Sequence, residues 1–299
     1  MNICYRILGL IILVSFLTPN EIQAQDTTKS DFEAFIESLA KENVPGYVQP
    51  FATALGTAIN SGIYHTAKIH GLPGFDIGIR AMMISIPDEG LTYFAKVGAD
   101  SFETPSIFGD KTSSVTGLPG GLDIGTVIFA VPQVSIGLLM GTELNFRYLP
   151  AIELSDKIGK LELIGFGLSH SLDQYFPAPI PLLPQLSAGF MFQSFKVGDI
   201  LESSHKAYNL RLSKSVPMLT VYLGAQLEST DMDITYQLDG IGADIKVNVE
   251  GENQVRFTGG LRWTLFPFLG INADYSLGEY PAINLGLIFS FDPPGVPGI

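Results

Sequence analysis

The stretch LGINADYSL, residues 269 to 277, puts Leu269, Ile271, Ala273, Tyr275 and Leu277 on one parity and Gly270, Asn272, Asp274 and Ser276 on the other. Successive side chains of a strand point to opposite faces, so strict period two describes an extended ribbon with one greasy and one polar side. VRFTGGLRWTL repeats it: Val255, Phe257, Gly259, Leu261, Trp263 and Leu265 stand against Arg256, Thr258, Gly260, Arg262 and Thr264. In LTVYLGAQLE, Leu219, Val221, Leu223, Ala225 and Leu227 oppose Thr220, Tyr222, Gly224, Gln226 and Glu228. QLSAGFMFQS and QVSIGLLMGTELNFR continue the pattern, with Phe190, Phe192, Ile136 and Leu138 on the apolar side.

A soluble β-sandwich alternates too, so the question is which solvent the greasy face meets. The chain is 46% hydrophobic and only 16% charged. Beyond the N-terminus no stretch approaches the 18 consecutive apolar residues of a membrane helix. The alternating runs are about 10 residues long, the length of a strand tilted across a bilayer and longer than the usual soluble strand. Very short turns are expected at VPQ (131 to 133), VPM (216 to 218) and FPF (266 to 268), with longer polar loops at PAIELSDKIG and VGDILESSH. Tight turns at one end and longer loops at the other are the habit of outer-membrane barrels. In hydrocarbon every backbone donor and acceptor needs a partner, so a spanning sheet has to close on itself. The fold expected is all-β: an antiparallel transmembrane barrel of about ten to fourteen strands, with an N-terminal helical, plug-like segment.

Counting back from the C-terminus, strands are expected near 281–291, 269–277, 255–265, 218–229, 205–215, 185–195, 160–170, 134–147, 122–131 and 75–86. LTYFAKV (91–97) and the ITYQL and IKVNV runs (234–249) extend loops or add strands. Trp263, Tyr275, Phe266, Phe268, Phe289 and Phe291 fall near strand ends, where aromatic girdles sit. The order along the chain is a leader at 1–24, a helical segment at 25–74, one barrel domain at 75–291 and a Pro/Gly tail at 292–299.

The leader carries Arg6, an apolar run from Ile7 to Leu17 and small Ala24, the anatomy of a secretory signal peptide. Its apolar run of about 11 residues is too short to span a membrane. Cys4, the only cysteine, would leave with it, removing disulfides, thiolate ligands and cysteine nucleophiles. The net charge of −13 survives processing because Arg6 and Glu21 cancel, and so acidic a chain is a poor nucleic-acid binder. The partners expected are instead the outer-membrane bilayer, the barrel-assembly machinery and a small hydrophobic solute.

In residues 25–74, Phe32, Phe35, Ile36 and Leu39 recur at helical spacing, Asp31 can cap, and Pro45 with Gly46 is expected to break the run. A second, weaker helix runs through FATALGTAIN. The run PFATALGTAINSGIYHTAKIHGLPGFDIGI, with RYLP, GLSHSLDQYFP and LGAQLEST, resembles a family of Gram-negative outer-membrane barrels of the Bacteroidota type, catalogued only as a domain of unknown function. That resemblance implies a barrel and no activity. Helices ahead of a barrel are also similar in architecture to the long-chain fatty-acid and hydrocarbon transporter family. The chain's last strand, with Asn284, Gly286, Phe289 and Phe291, resembles the C-terminal assembly signal of such barrels.

GIYHTAKIHGLPGFD, residues 62–76, holds two of the four histidines. His65 and His70 are five apart and point about 140° away from each other on a helix, so only a turn at Gly71 and Pro73 brings them together, with Asp76 as third partner. A polar plug-to-wall network of His65, Lys68, His70 and Asp76 is the preferred reading, with Lys68 on Asp76 or His70 on a lumen carboxylate as the expected contacts and no metal or cofactor. In SHS (169–171) a serine and the histidine point to opposite strand faces, and neither GxSxG nor HExxH occurs, so no catalytic residue and no enzyme is expected. Alternation sends Arg80, Glu143, Asn145, Arg147, Arg211, Gln226, Glu228, Arg256, Arg262, Asn272, Asp274 and Asn284 inward. These features point to a passive channel or transporter for small or hydrophobic compounds, against a structural or surface-binding barrel acting through loops 87–121 and 230–254.

Overall fold

A computed structural model describes residues 42–113, 115–155, 159–176, 183–237 and 244–292. The leader, the helical spacing at Phe32 to Leu39 and the tail after Asp292 lie outside the described residues. Alternating runs become strands: β1 (Phe75–Ser85), β2 (Thr92–Val97), β3 (Asp100–Pro105), β4 (Thr126–Gly137), β5 (Thr142–Ser155), β6 (Gly159–Ser171) and β7 (Gln185–Val197). They continue as β8 (Leu201–Val216), β9 (Leu219–Gln237), β10 (Asp244–Glu250), β11 (Val255–Phe266), β12 (Leu269–Leu277) and β13 (Ala282–Phe291). Ten of them form one antiparallel ring, closed where β1 pairs with both β13 and β4. β2 and β3 form a separate hairpin, and β10 pairs with the extension of β9 past the ring. Among the described residues, 91–97, 235–237 and 244–249 therefore extend loops and add no strand to the barrel.

Two mouths follow from the register. Phe75 lies opposite Phe291 and Ile136 at the mouth where the last strand ends, here the terminal mouth. Ser85 lies opposite Thr126 at the other, far mouth, which carries the β2–β3 hairpin and the β9–β10 extension. The outward parity is apolar and exposed, as at Leu223, Phe257 and Leu287, while Arg256 and Asn284 on the other parity are each only 2% exposed. All six expected girdle aromatics are exposed.

Several local expectations are corrected. VPQ (131–133) is not a turn; it runs through the middle of β4, and the chain turns at 138–141, with Met140 and Gly141 at positive φ. Pro132 has no N–H to donate. The ladder between β4 and β5 is confined to Gln133–Gly137 against Glu143–Arg147, so from Thr126 to Pro132, among the described residues, β4 pairs with β1 alone. PAIELSDKIG and VGDILESSH are largely strand, and the connection at 172–184, on the terminal side, is longer than either turn.

Pro45 and Gly46 do not break a helix; they lie in the first turn of one. Helix α1 (Val44–Asn60) begins there because proline in a first turn gives up an N–H that has no intrahelical partner anyway. It ends at Ser61, in an extended conformation, followed by Gly62 at φ 62°, a left-handed geometry that glycine adopts without strain. The helix lies inside the ring, with Val44, Tyr47, Val48, Ala52, Ala58 and Ile59 all buried. Gly56 allows this approach, since a Cβ there would run into Thr230 of β9 and Asn253.

Candidate functional site

The lumen has two chemically distinct halves. Toward the far mouth, one face of α1 packs into an apolar cluster with Met82 and Ile84 of β1, Phe129 and Val131 of β4, Leu163 of β6 and Phe195 of β7. Tyr47 meets Tyr93 of the far hairpin edge to face at 5.9 Å and donates to the Gly120 carbonyl at 2.9 Å, so the loop after β1 caps the helix. The exceptions in this apolar half are a few mutually bonded polar groups: His205 of β8 lies between Ser203 (2.9 Å) and Thr230 of β9 (3.1 Å), and Asn253 donates to the Thr53 carbonyl of α1 at 3.0 Å.

Where α1 ends, the walls turn polar. A helix C-terminus presents carbonyls without intrahelical partners, and wall side chains meet them. Arg147 donates to the Ile59 carbonyl at 2.8 Å and the Ser61 carbonyl at 2.9 Å, while its Nε holds Gln133 at 2.8 Å. Gln193 also donates to Ile59 (2.9 Å) and Gln226 to Asn60 (2.8 Å). Arg256 reaches the Ser61 hydroxyl at 3.0 Å and pairs with Glu228 at 2.6 Å, both side chains buried. These guanidiniums suit the negative end of the helix dipole as well.

Residues 61–74 then descend to the terminal mouth. Gln133 donates to the Ile63 carbonyl at 2.9 Å. Tyr64 sits under the Arg211 guanidinium, 5.5 Å from its ring centroid, and Arg211 is held by Ser187 at 2.8 Å. The Arg80 guanidinium donates to His65 Nδ1 at 2.8 Å, which leaves the imidazole proton on Nε2, 3.6 Å from Asp76. Arg80 also donates to Asn272 (3.2 Å), which touches the Tyr222–Asp274 pair, itself at 2.6 Å. Asn284 adds a further donor to Asp274.

The mouth itself is clasped by His70. Its Nδ1 lies 2.7 Å from Asp292 and its Nε2 3.3 Å from Asp76, while its backbone N–H donates to Glu143 at 3.2 Å. Lys68 pairs with Asp292 at 2.7 Å and not with Asp76, which Arg80 and the two histidines already surround. Burial alone would lower the His70 pKa, but the carboxylates of Asp292 and Asp76 outweigh it and raise it to about 10. Partial burial pulls the other way on Asp292, yet His70 and Lys68 hold it well below the usual carboxylate range.

The turn at Gly71 and Pro73 thus does bring His65, His70 and Asp76 together. Their arrangement is an ion network and does not offer a ligand set. Both His70 nitrogens face carboxylates, and the free lone pair of His65 is taken by Arg80, a fixed cation 3.8 Å from Asp76. Among the described residues no group of three or more His, Cys, Asp or Glu is arranged to hold a metal ion. Beside the network lies a cavity of ≈ 230 Å³ of atom-free space, its open side included, lined in part by Tyr64, Asp76, Glu143 and Arg211. Ser169 and Ser171 are buried in the lumen, whereas His170 faces away from it, to Thr142 at 2.9 Å and Tyr175 at 2.8 Å.

Arg80, Glu143, Arg147, Arg211, Glu228, Arg256 and Asp274 are all buried in the lumen, and Arg262, nearer the mouth, holds Ser290 at 2.8 Å. On β13, Asn284 and Gly286 face inward and Phe289 and Phe291 outward. Sequence reasoning missed Asp292, Gln133, Gln193 and Tyr64. Asp292 was within reach, since it continues the inward parity of Ser290 by one step.

The profile described as "Family of unknown function (DUF6588)" matches residues 1–291. No curated protein matches. Solved structures that share the barrel class include the KdgM porin in complex with disordered oligogalacturonate, 10% identical over 72% of this chain and 99% of that one, with a TM-score of 0.33. The toluene transporter TbuX of Ralstonia pickettii is 8% identical over 79% of this chain and 93% of that one, at 0.31. The N-terminal β-barrel domain of Pseudomonas aeruginosa OprF is 14% identical over 50% and 96%, at 0.26. Likenesses this distant carry nothing about cargo.

Proposed function

The chain belongs to the family of unknown function DUF6588, and from its own geometry we propose that it is a plugged barrel of the bacterial outer membrane that transports small hydrophobic compounds. The observation that carries this reading is the half-open seam between β4 and β5. There, among the described residues, Thr126–Pro132 has no second partner strand, and the residues behind it, Val127, Phe129, Val131 and Leu149, belong to the apolar cluster around α1. A polar channel would have no use for such a lining. An apolar solute that loosens this packing has a route between the lumen and the acyl chains. In this reading the terminal mouth faces the periplasm, the bilayer and the assembly machinery are the partners, and β13 with Asn284, Gly286, Phe289 and Phe291 serves assembly. No catalytic role is included, and cells making the protein should keep unchanged lipid profiles.

Extending the β4–β5 register past Gln133↔Arg147 sets Pro132 opposite Tyr148, both on the outward parity. A Pro132→Cys, Tyr148→Cys pair, oxidised across the seam, should abolish uptake of a panel of small hydrocarbons into cells. Reduction should restore it. Uptake indifferent to the lock would defeat the reading.

A second reading, a surface-binding barrel working through loops 87–121 and 230–254, rests on the far hairpin, where Phe94 is 72% exposed. It expects loop-trimmed protein to lose its cellular role while hydrocarbon uptake stays unchanged.

A further inference from the structure

The course of residues 42–74 has a topological meaning. Phe75 enters the wall at the terminal mouth, beside Phe291. Read backwards from there, His70 is clasped at the same mouth to Asp292, Thr66 bonds Ser213 near the terminal end of β8 at 3.2 Å, and Ile63 bonds Gln133 at mid-barrel. Asn60 and Ile59 meet the mid-barrel arginine and glutamines. The helix then rises, about 25 Å for its 17 residues. At its start the hydrogen bonds run to far-mouth elements: Tyr47 to Gly120, Gln49 to the Glu250 carbonyl at the end of β10 at 2.5 Å, and Asn43, just ahead of the helix, to Lys96 of β2 at 3.0 Å. Glu42 is exposed there.

We propose that the barrel threads residues 42–74 through the lumen from one side of the membrane to the other, so that Glu42 stands on the side opposite the Asp292 end. The segment is an eleventh crossing, made inside the ring. The lumen is occupied along its length, by α1 in the far half and by residues 61–74 in the terminal half, and a path through lipid instead would leave backbone groups without partners. With the terminal mouth in the periplasm, which rests on the reading above, Glu42 stands on the cell surface.

Single cysteines at Glu42, at Phe94 on the far hairpin and at Met140 in the terminal turn, each in a Cys4→Ser background, test this with a membrane-impermeant maleimide. Phe94 and Met140 are both well exposed, at 72% and 80%. Gel mobility with and without heating selects folded barrel. The expected result is that Glu42→Cys and Phe94→Cys react together in intact cells, while Met140→Cys reacts only after permeabilisation. If Glu42→Cys follows Met140→Cys, the threading is wrong although the barrel stands. Should all three react alike without permeabilisation, the membrane barrel itself fails and the threading with it. The outcome is independent of hydrocarbon uptake, so a failure of transport leaves it untouched.

Discussion

His70 concentrates what single residues contribute here. Its imidazolium bridges Asp292 and Asp76, and its raised pKa, about 10, sets a direction for pH dependence. The folded value lies above the unfolded one near 6.5. The stabilisation is therefore complete below about 6.5 and is lost as pH rises through about 10. The temperature at which the folded gel band converts to the unfolded one should fall between neutral pH and pH 10 in the wild type. In His70→Gln that slope should flatten; an equal slope in both would remove the clasp from the account. Parity alone made the arginines and carboxylates of the lumen legible, because a strand has only two faces. The clasp was less legible, since which carboxylate a histidine chooses depends on where a turn carries it, and Asp292 lies past the last alternating residue.

Among the elements, the strands announce themselves and α1 does not. A helix containing Pro45, Gly46 and Pro50 has poor intrinsic propensity, so its formation depends on the apolar wall it fills and on the side chains that meet its last carbonyls. VPQ misled for a related reason. Proline ordinarily ends or edges a strand, but here it stays within β4, because the side of the strand that loses the N–H is the side with no partner. The seating of α1 is testable at Gly56, where any side chain collides with Thr230 and Asn253. Gly56→Leu should destabilise the seated helix by about 1–3 kcal/mol. The folded barrel band should persist, while residues 44–60 become open to protease in detergent. Full protection in the variant would mean the helix does not depend on that close approach.

For the whole molecule, the ring and the threaded segment are separable. The ladder closes from strand to strand without α1, which holds on by side chains and packing. In planar bilayers the intact protein should pass little steady current, and protein lacking residues 25–74, shown to be folded by its heat-sensitive mobility, should conduct. Silence from both would mean that no pore lies behind the segment. That about ten to fourteen strands would close could be anticipated from alternation; whether residues 25–74 would occupy their interior could not, because a helical pattern suits a plug and a periplasmic extension alike. The half-open seam could not, because pairing between neighbours is a property of two strands and leaves no trace in the pattern of either.

The segment inside the barrel is also continuous with the wall at Phe75, and that covalent tie limits what any opening can be. A stopper joined to its bottle cannot be ejected; it can only swing on its leash. The leash is residues 61–74, so the travel of α1 is bounded by how far those residues straighten, and each opening ends with the same helix returning to the same seat.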